Sequence, residues 1–475
     1  MEKRTAIPVS LPRNNPTISY WQDPPDVEAA DFTSADQVPE TADTVVIGSG
    51  ISGACIAWGL LEKGEKDVVM LEARQACSGA TGRNGGHTKA ASYKSFLDNA
   101  AKLGTTEAIK IARLEYQNIK DVHAFSRTHG IDCDLYSGDT VDIIYDQQQW
   151  DSAHVAVETM RRTMPDDLDG AARYVFWNAE ETASKFHTKG ERPIGSVSYF
   201  AGSLSAYKFV VGVLKMCLKS GMRLWTNTPA FAVTKGPDGL WKIETSKGSI
   251  KARNVVLATN GYTAFLEQQF QGVIVPLRGQ ITAHRPGRNQ PSSGLGVTYS
   301  FVYADGYEYM IPRPVGSKFA GDIIIGGGLM KAPSGGLSEF GNTDDTSKNP
   351  IITEYLTETT ARYFGPEAWG EDHPDGRIRK EWTGIMGYSS DGFPFVGSMP
   401  GKGKEGLWIS ASFQGHGMVL CFRSALALVG IMTGGEEEVE KWFPAAFRMS
   451  EERLKIPFEG RLHTGPPDVE LSTKI

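Results

Sequence analysis

The first clear pattern in the chain is a short apolar segment that runs directly into a glycine-rich turn. Residues 44–47 (TVVI) are apolar or β-branched, which predicts a buried strand. The next six residues have the spacing G-x-G-x-x-G, and apolar residues at helical spacing follow as far as Gly64. Residues 67–71 then predict a second buried strand that ends at Glu72. The pattern indicates a strand, turn, helix and strand unit of a parallel sheet.

The order of these elements predicts a dinucleotide site. A first glycine permits the sharp turn, a second lets the backbone approach a pyrophosphate, and a third lets the helix pack on the sheet. Glu72 lies 24 positions after Gly48, close to the roughly 20 expected for a carboxylate that binds a ribose. The cofactor-binding positions predicted here are Gly48, Gly50, Ile51, Ser52, Gly53 and Glu72.

Further patterns extend the alternation of strands and helices along the chain. Residues 97–128 have helical spacing, residues 205–219 predict an amphipathic helix, and residues 297–312 alternate like a strand. Residues 418–432 are apolar but contain Arg423 and are shorter than a membrane span requires, which indicates a buried helix. No membrane span is therefore expected.

Composition excludes several classes of protein. The chain has 475 residues, of which 40% are hydrophobic and 22% charged, so it is globular and not disordered. Its net charge of −7 leaves no excess of cations for nucleic acid, which is an unlikely class of partner. Five cysteines without a CxxC pair argue against a disulfide framework or a structural zinc site, so we expect no metal and a cytoplasmic location. Residues 1–42 contain scattered prolines and no apolar core of a secretory signal, which predicts an extended arm.

A polar, glycine-rich loop at residues 78–87 is too long for a plain turn and needs a ligand to order it. Together with residues 45–53 and the Glu72-Ala73 strand end, it resembles the D-amino-acid oxidase/sarcosine oxidase superfamily of flavoproteins, and most closely its gamma-glutamylputrescine oxidase-like branch. The resemblance covers residues 40–440. It recurs at residues 255–261, 276–280, 323–328, 382–397 and 414–418.

The resemblance implies an α/β fold of the glutathione-reductase-like flavoprotein class, with a Rossmann-like FAD-binding domain and an interleaved mixed-sheet substrate domain. The expected FAD-binding domain comprises residues 43–92, 200–262 and 380–435, and the substrate domain comprises residues 93–199 and 263–379. Residues 436–475 form a C-terminal tail. None of the five cysteines matches a segment that tethers flavin, so we expect noncovalent FAD.

The resemblance also implies further contacts with the cofactor. Residues 414–418 are expected to open a helix whose amides face the flavin. The additional positions are Ala73, Arg74, Thr81, Arg83, Asn84, Gly85, Gly86, His87, Thr259, Asn260, Gly261, Gly387, Asp391, Gly415, His416, Gly417 and Met418.

Four residues are candidates for the catalytic site. The Arg83 guanidinium can bind a substrate carboxylate or a flavin phosphate, or it can brace the loop with an ion pair. His416 lies at a glycine-flanked helix start and either contacts the cofactor or shapes the loop. Tyr307 and Tyr309 are two apart, so in a strand they face one side, as substrate-pocket walls or as core. His87 is more typical of a structural histidine than of a proton-transfer group.

The resemblance implies oxidation of a C–N bond of an amine or amino-acid-like substrate to an imine, with electrons passed from FAD to O2 to give H2O2. Two alternatives stay open. The first is a flavin dehydrogenase that uses a quinone or a protein acceptor, and the second is a flavin-binding module without catalysis.

Overall fold

The computed structural model describes residues 1–460 and contains two β-sheets with helices packed on them. In that range the strands are β1 (Thr41–Ile47), β2 (Val68–Leu71), β3 (His87–Thr88), β4 (Tyr136–Ile144), β5 (Val175–Asn178), β6 (Gly195–Ser203), β7 (Arg223–Trp225), β8 (Ala230–Lys235), β9 (Trp241–Thr245), β10 (Gly248–Leu257), β11 (Ile274–His284), β12 (Thr298–Tyr303), β13 (Gly306–Pro312), β14 (Ile323–Gly326), β15 (Ile378–Ser389), β16 (Phe395–Ser398) and β17 (Leu407–Ala411).

The α-helices of the same range are α1 (Glu2–Thr5), α2 (Ile51–Glu62), α3 (Ser92–Leu103), α4 (Thr105–Thr128), α5 (Gln147–Thr163), α6 (Ala179–Lys185), α7 (Ala206–Lys219), α8 (Thr263–Leu266), α9 (Pro333–Gly336), α10 (Pro350–Trp369), α11 (Cys421–Met432) and α12 (Glu436–Glu440). None of the helices within residues 1–460 combines the length and the apolar character needed to cross a bilayer.

The first sheet is built around β1, which lies between β2 and β10 and runs parallel to both. Its strand order is β16-β17-β10-β1-β2-β7, with β8 and β9 attached through β10. Val45 pairs with Val69 on one side and Val255 on the other, and all three are fully buried. A strand buried on both faces needs this unbroken apolar run, which is why residues 44–47 could be identified from sequence.

The second sheet is mixed, with the order β15-β11-β14-β13-β12-β4-β6-β3 and β5 attached to β6. Strands β4 and β12 are parallel, whereas their other neighbours pair antiparallel. Helix α10 covers one part of this sheet, where Tyr363 and Phe364 pack with Phe301 and Ile325. The predicted fold class, a Rossmann-like domain interleaved with a mixed-sheet domain, is confirmed.

The two sheets do not divide the chain at the predicted domain limits. The limit at residue 200 falls inside β6, and the limit at residue 380 falls inside β15, and both strands belong to the second sheet. Strand β3, expected in the FAD-binding domain, also pairs with β6. The chain therefore returns to the first sheet only after β6 ends at Ser203 and after β15 ends at Ser389.

The N-terminal arm packs against the body of the protein. The Tyr20 ring stacks on the ring of Trp382 in β15, with centroids 6.2 Å apart, and Trp21 is buried beside it. At the other end, Phe443 and Phe447 of the predicted tail are buried in the core. Residues 461–475 of that tail lie outside the described residues.

Three predicted elements are shorter than their patterns suggested. The helical stretch is divided at Gly104, whose φ of +86° suits glycine, so that α3 and α4 are separate helices. The strand-like stretch at 297–312 is a hairpin, β12 and β13, with Ala304 and Asp305 between them. Helix α11 begins at Cys421 and is preceded by a short 3₁₀ turn, Gly417–Val419.

Candidate FAD and substrate site

A cavity of about 890 Å3 runs from the turn after β1 to the hairpin of β12 and β13. Its volume lies in the upper part of the range for small-molecule sites, roughly 300–1,000 Å3. Both sheets contribute to its walls, because residues of β1 line one end and residues of β11 and β13 line the other. The cavity therefore joins a nucleotide-type turn to the predicted substrate layer.

The glycine turn has no room for side chains. A Cβ atom on Gly48, which has a φ of +109°, would lie 2.5 Å from the Ala258 carbonyl oxygen. A Cβ atom on Gly53 would lie 1.9 Å from the Gly48 carbonyl oxygen. With only hydrogen at these positions, α2 starts directly behind the turn with Gly50 as its N-cap. The Ile51 amide donates to the Thr81 hydroxyl (3.0 Å), and the first turn of this 12-residue helix lines the cavity at Ser52, where an anionic diphosphate is favoured.

Glu72 ends β2 at the same side of the cavity. Its Oε2 accepts hydrogen bonds from the Ser49 amide (3.0 Å) and the Ser49 hydroxyl (2.6 Å), and its Oε1 accepts one from the Arg74 amide (2.9 Å). A carboxylate has about four acceptor positions. Glu72 thus braces the turn and keeps capacity for one further donor, such as a ribose hydroxyl.

The loop after β2 contains a short 3₁₀ helix, Ala80–Arg83, whose last carbonyls are bound by indole and hydroxyl donors. The three bonds are Ser19 Oγ to the Gly82 oxygen (2.7 Å), Trp382 Nε1 to the Arg83 oxygen (2.8 Å) and Trp21 Nε1 to the Asn84 oxygen (2.6 Å). Carbonyls at a helix end have no partner within the helix. The arm and β15 together satisfy them and hold the loop against the cavity.

In the structure Arg83 contacts the N-terminal arm and β15. Its guanidinium donates to the Thr383 carbonyl (2.6 Å) and to the Thr17 hydroxyl (2.6 Å), and Asp345 lies 3.8 Å from its Nε. Burial lowers the pKa of Arg83 to about 10. The side chain is used to brace the loop, which was the alternative interpretation. Arg74 is similarly occupied, because it forms an ion pair of 2.9 Å with the buried Asp345.

The two candidate histidines lie in the middle of the cavity wall. His87 Nε2 is 2.7 Å from the Thr298 hydroxyl, and burial holds the pKa of His87 well below its usual range. A neutral, hydrogen-bonded ring matches the structural interpretation of this residue. His416 caps the 3₁₀ turn Gly417–Val419 and lines the cavity.

Tyr307 and Tyr309 both line the cavity, as their spacing in β13 predicts. The Tyr309 ring packs on Gly85, where a Cβ atom would lie 2.6 Å from the ring. Tyr307 lies at the mouth, where it is 37% exposed, and the Lys94 ammonium sits 5.5 Å from its ring centre. The tyrosines and Gly85 therefore connect the substrate layer with the glycine-rich loop.

Four predicted cofactor positions do not line the cavity. Gly53, Gly261 and Gly387 support it through close backbone packing, since a Cβ atom on Gly387 would lie 2.8 Å from the Gly261 amide nitrogen. Asp391 is paired with Arg453 and accepts from its Nη2 at 3.0 Å. The positions that do line the cavity are Gly48, Gly50, Ile51, Ser52, Glu72, Ala73, Arg74, Thr81, Arg83, Asn84, Gly85, Gly86, His87, Thr259, Asn260, Gly415, His416, Gly417 and Met418.

Sequence analysis missed a buried charged cluster in the substrate half. Its centre is the fully buried Asp142 of β4, which forms ion pairs with Lys89 and Lys94. The other bonds are Tyr93 hydroxyl to Asp142 (2.6 Å), Tyr199 hydroxyl to Asp142 (3.1 Å) and Lys89 Nζ to the Ser300 hydroxyl (2.5 Å). Burial opposes the charge of Asp142, but the two lysines outweigh it and hold its pKa well below the usual range. In the sequence, the cluster is indicated by the charged Asp142 within the otherwise apolar residues 141–144.

Burial shifts the pKa values of two lining groups of the substrate half toward neutral pH. Burial lowers the pKa of Lys89 to about 8. Burial also raises the pKa of Glu115, on α4, to about 7, although its carboxylate accepts a hydrogen bond of 2.5 Å from the Ser92 hydroxyl. Glu115 lies on the buried side of α4, and nothing in the sequence pattern identifies a partner for its carboxyl group.

The nucleotide half of the cavity fits a dinucleotide. It combines the start of α2, the spare acceptor capacity of Glu72 and the buried hydroxyl of Tyr262, which has no hydrogen-bond partner among residues 1–460. Tyr262 lines the cavity and was missed by the sequence analysis, which stopped at Gly261. A buried unpaired hydroxyl is unfavourable unless a ligand completes it.

The parallel core sheet, the glycine turn and the joined two-part cavity define a flavin-type dinucleotide-binding oxidoreductase fold. The chain belongs to the FAD dependent oxidoreductase (DAO) family, whose model matches residues 43–430, and its cofactor is FAD. The chain is 25% identical over 389 residues to a probable oxidoreductase OrdL of Rhizobium meliloti, with 80% of each chain covered. It is 24% identical over 407 residues to the gamma-glutamylputrescine oxidoreductase of Escherichia coli, covering 84% of this chain and 85% of the relative.

The fold is also similar to a solved structure, glycine oxidase from Geobacillus kaustophilus. The TM-score is 0.66 at 17% sequence identity, and the match covers 87% of this chain and 99% of the other.

Proposed function

We propose that this FAD-dependent oxidoreductase oxidises a C–N bond of an amine or amino-acid-like substrate to an imine and passes the electrons to O2. The observation that carries the proposal is the continuity of the cavity, in which Gly85 of the cofactor loop touches Tyr309 of the substrate wall. A substrate bound between Tyr307 and Tyr309 is therefore adjacent to the cofactor half. The names of the relatives support an amine or amino acid as the substrate.

The turn at Gly48 and Gly50 and the loop at residues 79–87 would hold FAD, which when bound would supply the capacity to take up a hydride from the carbon beside the amine nitrogen and to pass two electrons to oxygen. Loss of that hydride and of a proton from nitrogen leaves an imine, and water hydrolyses the imine to a carbonyl compound and a free amine or ammonia. Two electrons and two protons convert O2 to H2O2.

The residues of the chain bind and orient the substrate and exclude water. The rings of Tyr307 and Tyr309 provide an apolar wall for the carbon chain. The Lys94 ammonium beside Tyr307 adds positive charge at the mouth. Before hydride loss the substrate nitrogen must be neutral, and the Glu115 carboxylate, with its pKa of about 7, is a lining group that takes a proton at neutral pH.

Turnover in air with a panel of primary amines, N-alkylated amines and amino acids tests the proposal. We expect one H2O2 for each O2 consumed and one imine-derived carbonyl compound for each H2O2. If a substrate turns over only with a quinone or dye, and O2 is not consumed, the proposed acceptor is wrong and the enzyme is a dehydrogenase. If no acceptor supports turnover of any member of the panel, the proposed substrate class is wrong.

A further inference from the structure

Tyr262 follows β10 in a 3₁₀ turn, Asn260–Tyr262, and its side chain lines the nucleotide half of the cavity. The hydroxyl is buried and has no hydrogen-bond partner in the described part of the chain. Buried hydroxyl groups in native proteins are nearly always hydrogen-bonded, so an unpaired one in a cavity wall indicates a missing partner.

The charged groups around Tyr262 do not supply that partner. Arg74 is occupied by Asp345 (2.9 Å), the Arg13 carbonyl (3.0 Å) and the Ser78 carbonyl (3.1 Å). Arg83 is bound to Thr17 and Thr383, as described above. Both arginines are donors in any case and have no acceptor to offer a hydroxyl group.

The charges near Tyr262 also determine what its hydroxyl does. Burial and the Asp345 carboxylate raise the pKa of Tyr262 far above its usual value, and Arg74 and Arg83 oppose this only in part. The phenol therefore keeps its proton and can donate it in a hydrogen bond. The partner it lacks is an acceptor oxygen from a ligand.

We propose that the Tyr262 hydroxyl donates a hydrogen bond to an oxygen of the FAD ribityl–diphosphate chain. The contact is a direct hydrogen bond in which the phenol is the donor, because the two carboxylates near it, Glu72 and Asp345, do not accept a hydrogen bond from this hydroxyl. Loss of one such bond weakens ligand binding about tenfold. Tyr262 is then a cofactor-binding residue outside the glycine turn and the glycine-rich loop.

The variant Tyr262→Phe removes the hydroxyl and keeps the ring. We expect the dissociation constant of FAD, measured by quenching of flavin fluorescence on the deflavinated protein, to rise about tenfold. The same variant should melt at the same or a higher temperature without FAD, because it no longer buries an unpaired hydroxyl. The stabilisation by added FAD should become smaller.

The matched control is Tyr145→Phe. Tyr145 also lines the cavity and also has a buried hydroxyl without a partner among the described residues, but it stacks on Tyr303 in the substrate half. We expect its affinity for FAD to equal that of the wild-type protein. An equal loss of affinity in both variants, unchanged affinity in Tyr262→Phe, or a lower melting temperature of apo Tyr262→Phe would each overturn the proposal.

Binding of ADP and of FMN identifies which oxygen accepts the bond. If the acceptor belongs to the diphosphate, Tyr262→Phe weakens the binding of ADP as well as that of FAD. If the acceptor is a ribityl hydroxyl, the variant weakens the binding of FMN and leaves that of ADP unchanged. Either result supports the contact. Unchanged affinities of the variant for FAD, for ADP and for FMN would contradict it.

Discussion

The Arg83 guanidinium in the cofactor loop donates to the hydroxyl of Thr17 in the N-terminal arm at 2.6 Å. The same hydroxyl accepts from the Thr383 amide at 3.0 Å. One arm residue thus joins the cofactor loop to β15. Because the Arg83 side chain is only 2% exposed, these partners stabilise its charge in place of water.

The variant Thr17→Val removes this hydroxyl with little change of shape. A hydrogen bond to a charged group contributes roughly 1.5–3 kcal/mol, so we expect a lower melting temperature and faster release of FAD, followed as recovery of flavin fluorescence after dilution. Ser10→Ala is the control, because Ser10 is an exposed arm residue bonded to Leu11 and Thr343. Equal rates of FAD release in the two variants would show that the arm does not hold the loop.

The position of Gly85 against Tyr309 predicts a specific effect on substrate. In Gly85→Ala the new methyl group meets the Tyr309 ring and displaces it, since the two atoms would be 2.6 Å apart. Overpacking costs roughly 1–3 kcal/mol. We expect kcat/KM to fall about tenfold, which corresponds to a loss of roughly 1.4 kcal/mol. Gly296→Ala is the control, because nothing lies within 4 Å of its Cβ position and it does not line the cavity. A kcat/KM of Gly85→Ala equal to that of Gly296→Ala would be inconsistent with the geometry.

Glu115 predicts a pH-dependent contribution to stability. Its pKa is raised by burial from 4.5 to about 7, so the folded protein holds the proton more strongly than the unfolded chain. The contribution of Glu115 to the free energy of unfolding is largest below pH 4.5. It decreases by on the order of 3 kcal/mol as the pH rises to 7.

The variant Glu115→Gln removes that loss and keeps an acceptor for Ser92. We expect its melting temperature relative to wild type to increase between pH 5 and pH 8. The control Glu158→Gln, at an exposed position of α5, should show a constant difference. If the relative melting temperature of Glu115→Gln is also constant with pH, the buried carboxyl does not titrate in this range.

The Asp142 cluster predicts a compensating pair of substitutions. Lys89→Met leaves Asp142 buried with one of its two cations, and breaking such a pair costs on the order of 3 kcal/mol. Adding Asp142→Asn removes the buried carboxylate and leaves only the charge of Lys94, which is partly exposed. We expect urea denaturation to give a double variant more stable than Lys89→Met alone. A double variant that is less stable than either single variant would argue against an ion pair at this site.

Sequence patterns predicted the elements whose conformation depends on residues close together in the sequence. Ser205 and the apolar spacing of residues 206–219 identified α7, and Ser205 caps that helix in the structure. The glycine turn was identified from the spacing of its glycines, and Gly53 admits no side chain because the Gly48 carbonyl oxygen lies beside it. These features are determined within a few residues and so can be read from one sequence.

The remaining parts of the site depend on contacts between distant residues. The sequence left the role of Arg83 open between ligand binding and loop bracing, because its partner Thr17 lies 66 positions away in a segment without a periodic pattern. Lys89 and Asp142 are 53 positions apart. Lys89 directly follows β3 and Asp142 lies in β4, and these strands are brought close because both pair with β6. Nor does periodicity show that Tyr262 has an unpaired hydroxyl. Each of these facts requires the folded arrangement of the two sheets.

The most direct test is anaerobic mixing of the purified yellow protein with a panel of amines and amino acids. The central claim is that the cavity holds FAD next to an amine substrate. It predicts a flavin absorption band that at least one member of the panel bleaches within a single turnover, with recovery of the band when air is admitted. A folded protein that binds FAD but whose flavin band no member of the panel bleaches would contradict it.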